Sequence, residues 1–180
     1  MAVKTAACFL LLAAVASVEL IQVMFDQFKH CKSNGILNCN LRVHKINRTV
    51  ASLYGNATFR VDLGDSFVTS CDVFHSPLGN NQYNLYPLKI PQVSVCTYLE
   101  KYWEDYYPYI VGAVPSAPKP GECPVSAREL HFNELIMDAR MFSPYMPTGL
   151  WKLVWRASDK NTDKRFEVEL TFRVYPDGHF

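Results

Sequence analysis

The sequence predicts a mainly β protein, a two-sheet sandwich or cup carrying one amphipathic helix. Three observations predict it. Short runs of alternating apolar and polar residues recur along the chain, clusters of Gly, Pro, Asn, Asp and Ser separate them, and a single stretch places its apolar residues at helical spacing.

Leu41, Val43 and the nearly alternating Ile46 read as one strand. Val50 to Leu63 reads as a strand pair or as one bulged strand, with Gly55-Asn56 as its punctuation. Phe67 to Phe74 and Tyr83 to Ile90 follow, separated by the turn-forming cluster Ser76-Pro77-Leu78-Gly79-Asn80-Asn81. Late in the chain Leu150 to Arg156 and Phe166 to Tyr175 alternate well, and the polar run from Ser158 to Lys164 between them makes a hairpin tip. The helix runs over about 94–107. Val95, Leu99, Tyr102, Trp103 and Tyr106 share one face, Glu100, Lys101, Glu104 and Asp105 take the other, and Ser94 is placed to cap the start. Pro108 disfavours helix at the residue before it, and the stretch from Pro115 to Pro124 then runs as a stiff irregular connection.

The first residues read as a targeting segment: a basic Lys4, an apolar run from Ala6 to Ala16, and small residues at Ala14 and Ala16 that suit signal peptidase. Residues 1–16 are the expected leader. Its apolar run of about eleven residues is too short to span a bilayer, which needs about twenty. Residues 17–180 are expected to form a single secreted domain without a membrane anchor, long enough to bury a substantial core. Two sequons, Asn47-Arg48-Thr49 and Asn56-Ala57-Thr58, fit that compartment and mark Asn47 and Asn56 as glycosylation sites in outward-facing positions. Cys8 leaves with the leader, and Cys31, Cys39, Cys71, Cys96 and Cys123 remain. Five thiols in an oxidising compartment predict two bridges and one leftover, with the pairing left open by the sequence. A bridge between Cys96 and Cys123 would clamp the ends of the one segment that does not read as sheet.

A formal net charge of +1 with 19% charged residues provides no concentrated basic stripe, which argues against nucleic acid and anionic membrane as partners. No cofactor motif occurs. His30, His44, His75, His131 and His179 are scattered without ligand spacing, so solvated or capping histidines are expected and no metal site. Gly64-Asp65-Ser66-Phe67 and Asp72-Val73-Phe74-His75 resemble the two blocks of the GDSL hydrolases, which makes Ser66, Asp72 and His75 a remote esterase alternative. Nine residues within one strand and its exit would, however, send the Ser66 and His75 side chains to opposite faces.

Several short matches together resemble a known family. Phe28-Lys29-His30-Cys31, Cys39 with Leu41-Arg42-Val43, the Asn47 sequon and Gly55-Asn56-Ala57-Thr58 form the first group. Tyr86-Pro87-Leu88-Lys89-Ile90-Pro91, Val95-Cys96-Thr97-Tyr98-Leu99, Cys123-Pro124 and Met146-Pro147-Thr148-Gly149-Leu150-Trp151-Lys152, leading into Leu170-Thr171-Phe172-Arg173-Val174-Tyr175, form the second. The pattern is similar to a large insect family of secreted proteins that includes the chemosensory-B proteins, and it covers nearly the whole mature chain. The resemblance implies a fold like that of the ganglioside-activator and other ML-like lipid-recognition proteins, a β-cup whose interior holds an acyl chain or another apolar ligand. It also implies Cys96 bonded to Cys123 and Cys31 to Cys39, with Cys71 as a departure from the pattern and the candidate free thiol.

The function expected on this basis is non-enzymatic: binding of a lipid, a fatty-acid ester or a hydrocarbon, in chemosensory or pheromone perception or in lipid handling. The alternative is a secreted partner or modulator of a sensory receptor or ion channel. Candidate ligand-lining residues are Leu99, Tyr102, Trp103 and Tyr106 on the helix, and Phe132, Met137, Met141 and Phe142 after Cys123. Each of them reads more readily as plain core than as a ligand contact.

Overall fold

The computed structural model describes residues 21–176, so the expected leader and His179 lie outside the described residues. Among these residues the chain forms two antiparallel sheets. The larger holds five strands in the order β1 (Ile21–Ser33), β8 (Arg165–Pro176), β7 (Gly149–Asp159), β4 (Phe67–Ser76) and β5 (Asn84–Ser94). The smaller holds β2 (Leu37–Lys45), β3 (Ala51–Phe59) and β6 (Glu129–Ile136). The mainly β, two-sheet architecture expected from the sequence is present.

Alternation builds the central strands. On β4 the side chains of Phe67, Thr69, Cys71, Val73 and His75 are buried and Val68, Ser70, Asp72 and Phe74 are partly exposed, the period-two signature of a strand with one face on a core. β7 and β8 continue that inward face, with Trp151, Leu153, Trp155 and Ala157 opposite Phe172, Leu170, Val168 and Phe166.

Two strands were not legible in the sequence. β1 buries Val23, Met24 and Phe25 in succession and shifts register twice along β8, which breaks the alternation. In β6 Glu134 adopts a positive φ of 52°, so Leu130 and Leu135 are buried at an odd spacing. Val50 to Leu63 resolves into one strand rather than two. Gly55 marks a shift in the β3–β6 register, not a turn; its φ of 119° and a Cβ that would run into the Asn40 carbonyl both call for glycine.

The helix is shorter than the apolar stripe. α1 spans Val95–Lys101, with the Ser94 hydroxyl accepting from the Thr97 amide at 3.1 Å. The amides of Tyr102 and Trp103 both donate to the Tyr98 carbonyl, closing the helix. The chain then turns and resumes as the single turn α2 (Tyr107–Ile110), where Pro108 occupies a first-turn position that suits it. Proline here opens a second helical turn instead of ending the first.

Cys31 on β1 is bonded to Cys39 on β2, joining the two sheets along one edge. Cys96 on α1 is bonded to Cys123 at the end of the irregular connection, and Cys71 is free and buried. One core group, including Ile36, Phe59, Leu99, Val114, Val125 and Phe166, lies beneath α1, and a second surrounds Trp151, Phe172 and Val174 at the other end of the β7–β8 ladder. A third joins Met24 and Phe25 to Leu53 and Leu135 of the smaller sheet. No helix among the described residues is long and apolar enough to cross a membrane.

Candidate functional site

The candidate site is the middle of the space between the sheets. At one end of the β7–β8 ladder Trp151 is 0% and Phe172 1% exposed; at the other Ala157 is 4% and Phe166 3% exposed. Between them Leu153, Leu170 and Trp155 keep accessible surface although they face the same way. Apolar side chains at the centre of a sheet's inner face ordinarily pack more closely than those at its ends. Leu153, Leu170 and Trp155 depart from that order, although Val168, Cys71 and Val73 at the same levels are buried, so the accessible surface is confined to part of the middle. Phe28 on β1, Leu41 on β2 and Phe132 on β6, all packed against the core groups, are likewise only partly buried.

Aromatic rings make one plug. His75 stacks on Trp151 at 4.2 Å, Tyr86 meets Trp151 edge-on at 4.7 Å, and Phe172 lies parallel to Trp151 at 6.3 Å. Their polar atoms are satisfied locally: His75 Nε2 donates to the Thr148 carbonyl at 2.9 Å and Trp151 Nε1 to the Pro147 carbonyl at 3.0 Å.

On the other side of the open middle, Tyr98 is the hub. Its ring lies 6.4 Å from Tyr102, 6.1 Å from Trp103 and 6.5 Å from Trp155. Trp103 is held by its Nε1, which donates to the Pro118 carbonyl at 2.7 Å, and Trp155 by its Nε1, which donates to Thr69 Oγ1 at 2.6 Å. Burial pushes the Tyr98 phenol far above its ordinary range, and the neighbouring Cys71 thiol and Tyr106 hydroxyl push it further. Burial likewise pushes the Cys71 thiol up to about 12, with Asp72 adding to the effect and Arg156 opposing it. The Tyr106 phenol is raised by burial, then by Asp105 and Cys71. Among the described residues, no hydrogen-bond partner meets the Tyr98 hydroxyl, the Tyr106 hydroxyl or the Cys71 thiol. Tyr98 nevertheless keeps accessible surface, and its hydroxyl is not among the fully buried side-chain oxygens that lack a partner.

The structure divides the sequence-derived lining candidates. Tyr102, Trp103 and Tyr106 gather around Tyr98, and Phe132 of the smaller sheet packs against the same core group as Tyr98 and Trp103. Leu99 is fully buried beneath α1 and is core. Met137 packs between the second and third core groups, Phe142 lies 5.3 Å from Phe172 beside the aromatic plug, and Met141 ends the short 3-10 turn Ala139–Met141. Tyr98, Trp155, Leu153, Leu170 and Cys71 were missed as wall residues. Tyr98 was within reach, because it stands four residues before Tyr102 on the same helical face.

Ser66, Asp72 and His75 are not brought together. Ser66 lies in the turn before β4, where its carbonyl accepts from the Lys160 amide at 2.9 Å. Asp72 points to the outer face and pairs with Arg156 at 2.7 Å, while His75 is buried inside the aromatic plug. On that outer face an open depression of ≈ 720 Å³ is lined by Lys32, Ser70, Gln92, Arg156, Arg165 and Glu167 among others. Its central charges are already engaged, since Arg156 holds both Asp72 and Glu167, and His30 holds Glu167 at 3.0 Å. No group of His, Cys, Asp and Glu side chains suited to a metal occurs among the described residues.

The sequons sit on the smaller sheet. Asn47 is exposed in the β2–β3 connection, and its Oδ1 accepts from the Thr49 amide, the Thr49 hydroxyl and the Val50 amide, leaving Nδ2 outward. Asn56 on β3 donates its Nδ2 to Glu129 on β6. No protein-family model and no curated protein matches the chain.

Proposed function

We propose that the protein is a secreted, non-enzymatic binding protein for an apolar small molecule, a lipid, fatty-acid ester or hydrocarbon, serving chemosensory or pheromone perception or lipid handling. The observation that carries this reading is that Leu153, Leu170 and Trp155 on the inner face are only partly buried while the ends of the ladder, Trp151 and Phe172, Ala157 and Phe166, are sealed. An apolar chain lying in the middle covers that surface. Each buried methylene contributes about 0.8 kcal/mol, so ten give about 8 kcal/mol gross, the scale of micromolar affinity before ordering costs. No catalytic group is needed for such a task. The resemblance to the secreted insect family, and through it to ML-like lipid-recognition proteins, points the same way.

Native mass spectrometry of protein secreted from a eukaryotic host, followed by solvent extraction, tests the reading. A stoichiometric apolar adduct is expected. A clean apo mass that persists after challenge with fatty acids, esters and hydrocarbons overturns it. The second reading, a partner or modulator of a sensory receptor or channel, is favoured by one observation: Leu85 and Leu88 on β5, and Leu78 in the turn before it, are exposed at 60%, 58% and 83%.

A further inference from the structure

The geometry points to a neutral oxygen-bearing head group, an alcohol, aldehyde or ester carbonyl, as the polar end of the ligand, anchored by the Tyr98 hydroxyl with Cys71 and Tyr106 beside it. This inference rests on the binding reading above and narrows it. The Tyr98 ring lies 6.5 Å from Trp155, and Cys71 on β4 is the cross-strand partner of the same Trp155. A phenol from α1 and a thiol from β4 thus meet at the partly buried middle, with Tyr106 near enough to act electrostatically on Tyr98 and itself affected by Cys71. A bare hydrocarbon would leave all three unpaired in a desolvated site, which is costly. A carboxylate fares worse. Between the levels of Trp151 and Ala157 the inner face of β4, β7 and β8 carries no Asp, Glu, Lys or Arg, Asp159 following only at the end of β7. His75 is held in the aromatic plug and Arg156 is committed to Asp72 and Glu167 on the outer face, so these strands offer an anion in the middle no lysine or arginine. A neutral oxygen satisfies both conditions: it accepts from the Tyr98 O–H, and a ligand hydroxyl can in turn donate to Tyr106.

The raised Tyr98 and Cys71 values agree with this, since the same desolvation that disfavours phenolate and thiolate disfavours any other anion placed there. Both groups therefore stay protonated, as donors, at neutral pH.

The test compares tetradecane, tetradecanol, tetradecyl acetate and tetradecanoate as displacers of bound N-phenyl-1-naphthylamine, in the wild-type protein and in Tyr98→Phe, which keeps the ring and removes the hydroxyl. Tighter wild-type binding of the alcohol and the ester than of the alkane and the carboxylate is expected. Tyr98→Phe is expected to weaken those two by about 3- to 10-fold and to leave tetradecane unchanged. Equal loss for all four, or a wild-type preference for tetradecanoate, overturns the head-group assignment while leaving apolar binding intact. Displacement by none of the four overturns the binding reading as well. Should Tyr98→Phe melt early, the wild-type order among the four ligands decides the assignment.

Discussion

The ends and the middle of the β7–β8 ladder are made of the same kinds of residue and behave differently. Trp151 and Phe172 at one end, and Ala157 and Phe166 at the other, are sealed; Leu153 and Leu170 between them are not. Hydrophobicity does not separate the two regions, because a leucine is no less apolar than an alanine. What separates them is the set of neighbours around each. At one end His75 and Tyr86, from neighbouring strands of the same sheet, close on Trp151, and at the other Phe59 of the smaller sheet approaches Phe166 at 6.4 Å, whereas the cross-strand neighbour of Leu170 on β1 is Phe28, itself only partly covered. Burial along the ladder thus reports which neighbours strand register and the facing sheet supply at each level, which sequence periodicity does not encode.

Trp151→Ala puts the largest strain on that contrast. Removing a side chain with no exposed surface and three aromatic neighbours is expected to cost about 3–5 kcal/mol, read from the denaturant midpoint; a cost below about 1 kcal/mol would erase the distinction between plug and middle. Replacing Cys96 and Cys123 together by alanine frees α1 and its connection from their shared anchor. With 27 residues of sequence separation, the chain-entropy relation gives a loss of about 3–4 kcal/mol, accompanied by weaker ligand retention if α1 covers the site. Leu170→Ala sharpens the comparison from the other side. Because Leu170 is already partly uncovered, its truncation is expected to cost less than about 2 kcal/mol, below the span for sealed leucines, and a larger cost would mean that the middle is ordinary core.

The smallest effect belongs to the outer face behind the open middle. His30 first, and then Arg156, hold the Glu167 carboxyl below its ordinary value. A carboxyl lowered in the folded state adds stability that is complete above its unfolded value and disappears as the pH falls through the folded one. These groups are about a third exposed or more, so Glu167→Gln is expected to cost less than about 1 kcal/mol at neutral pH, with wild type and variant converging in acid. A difference that persists in strong acid would assign the effect to packing.

The sequence disclosed β4, β7 and β8 because each has one face on the core and one on polar neighbours. It concealed β1, where consecutive buried residues and two bulges erase the period, and β6, where Glu134 interrupts it. The start of α1 was readable from Ser94, but its end was not, since the stripe of aromatics continues past Lys101 while the backbone does not. The site was legible in part. Tyr102, Trp103 and Tyr106 lie on the aromatic stripe, whereas Cys71, Trp155, Leu153 and Leu170 become wall residues only through the register of strands some eighty to a hundred residues apart in the chain.

The pairing of β1 with β8 has a consequence for biosynthesis. The first strand of the described residues finds its neighbour in the last of them, so the larger sheet cannot close before β8 has been made. The β2–β3 hairpin and the Cys31–Cys39 loop, both local in sequence, are free to form first. Until Arg165–Pro176 arrives, β1 lacks its in-sheet neighbour, and Phe25 and Phe28 have only the smaller sheet to pack against.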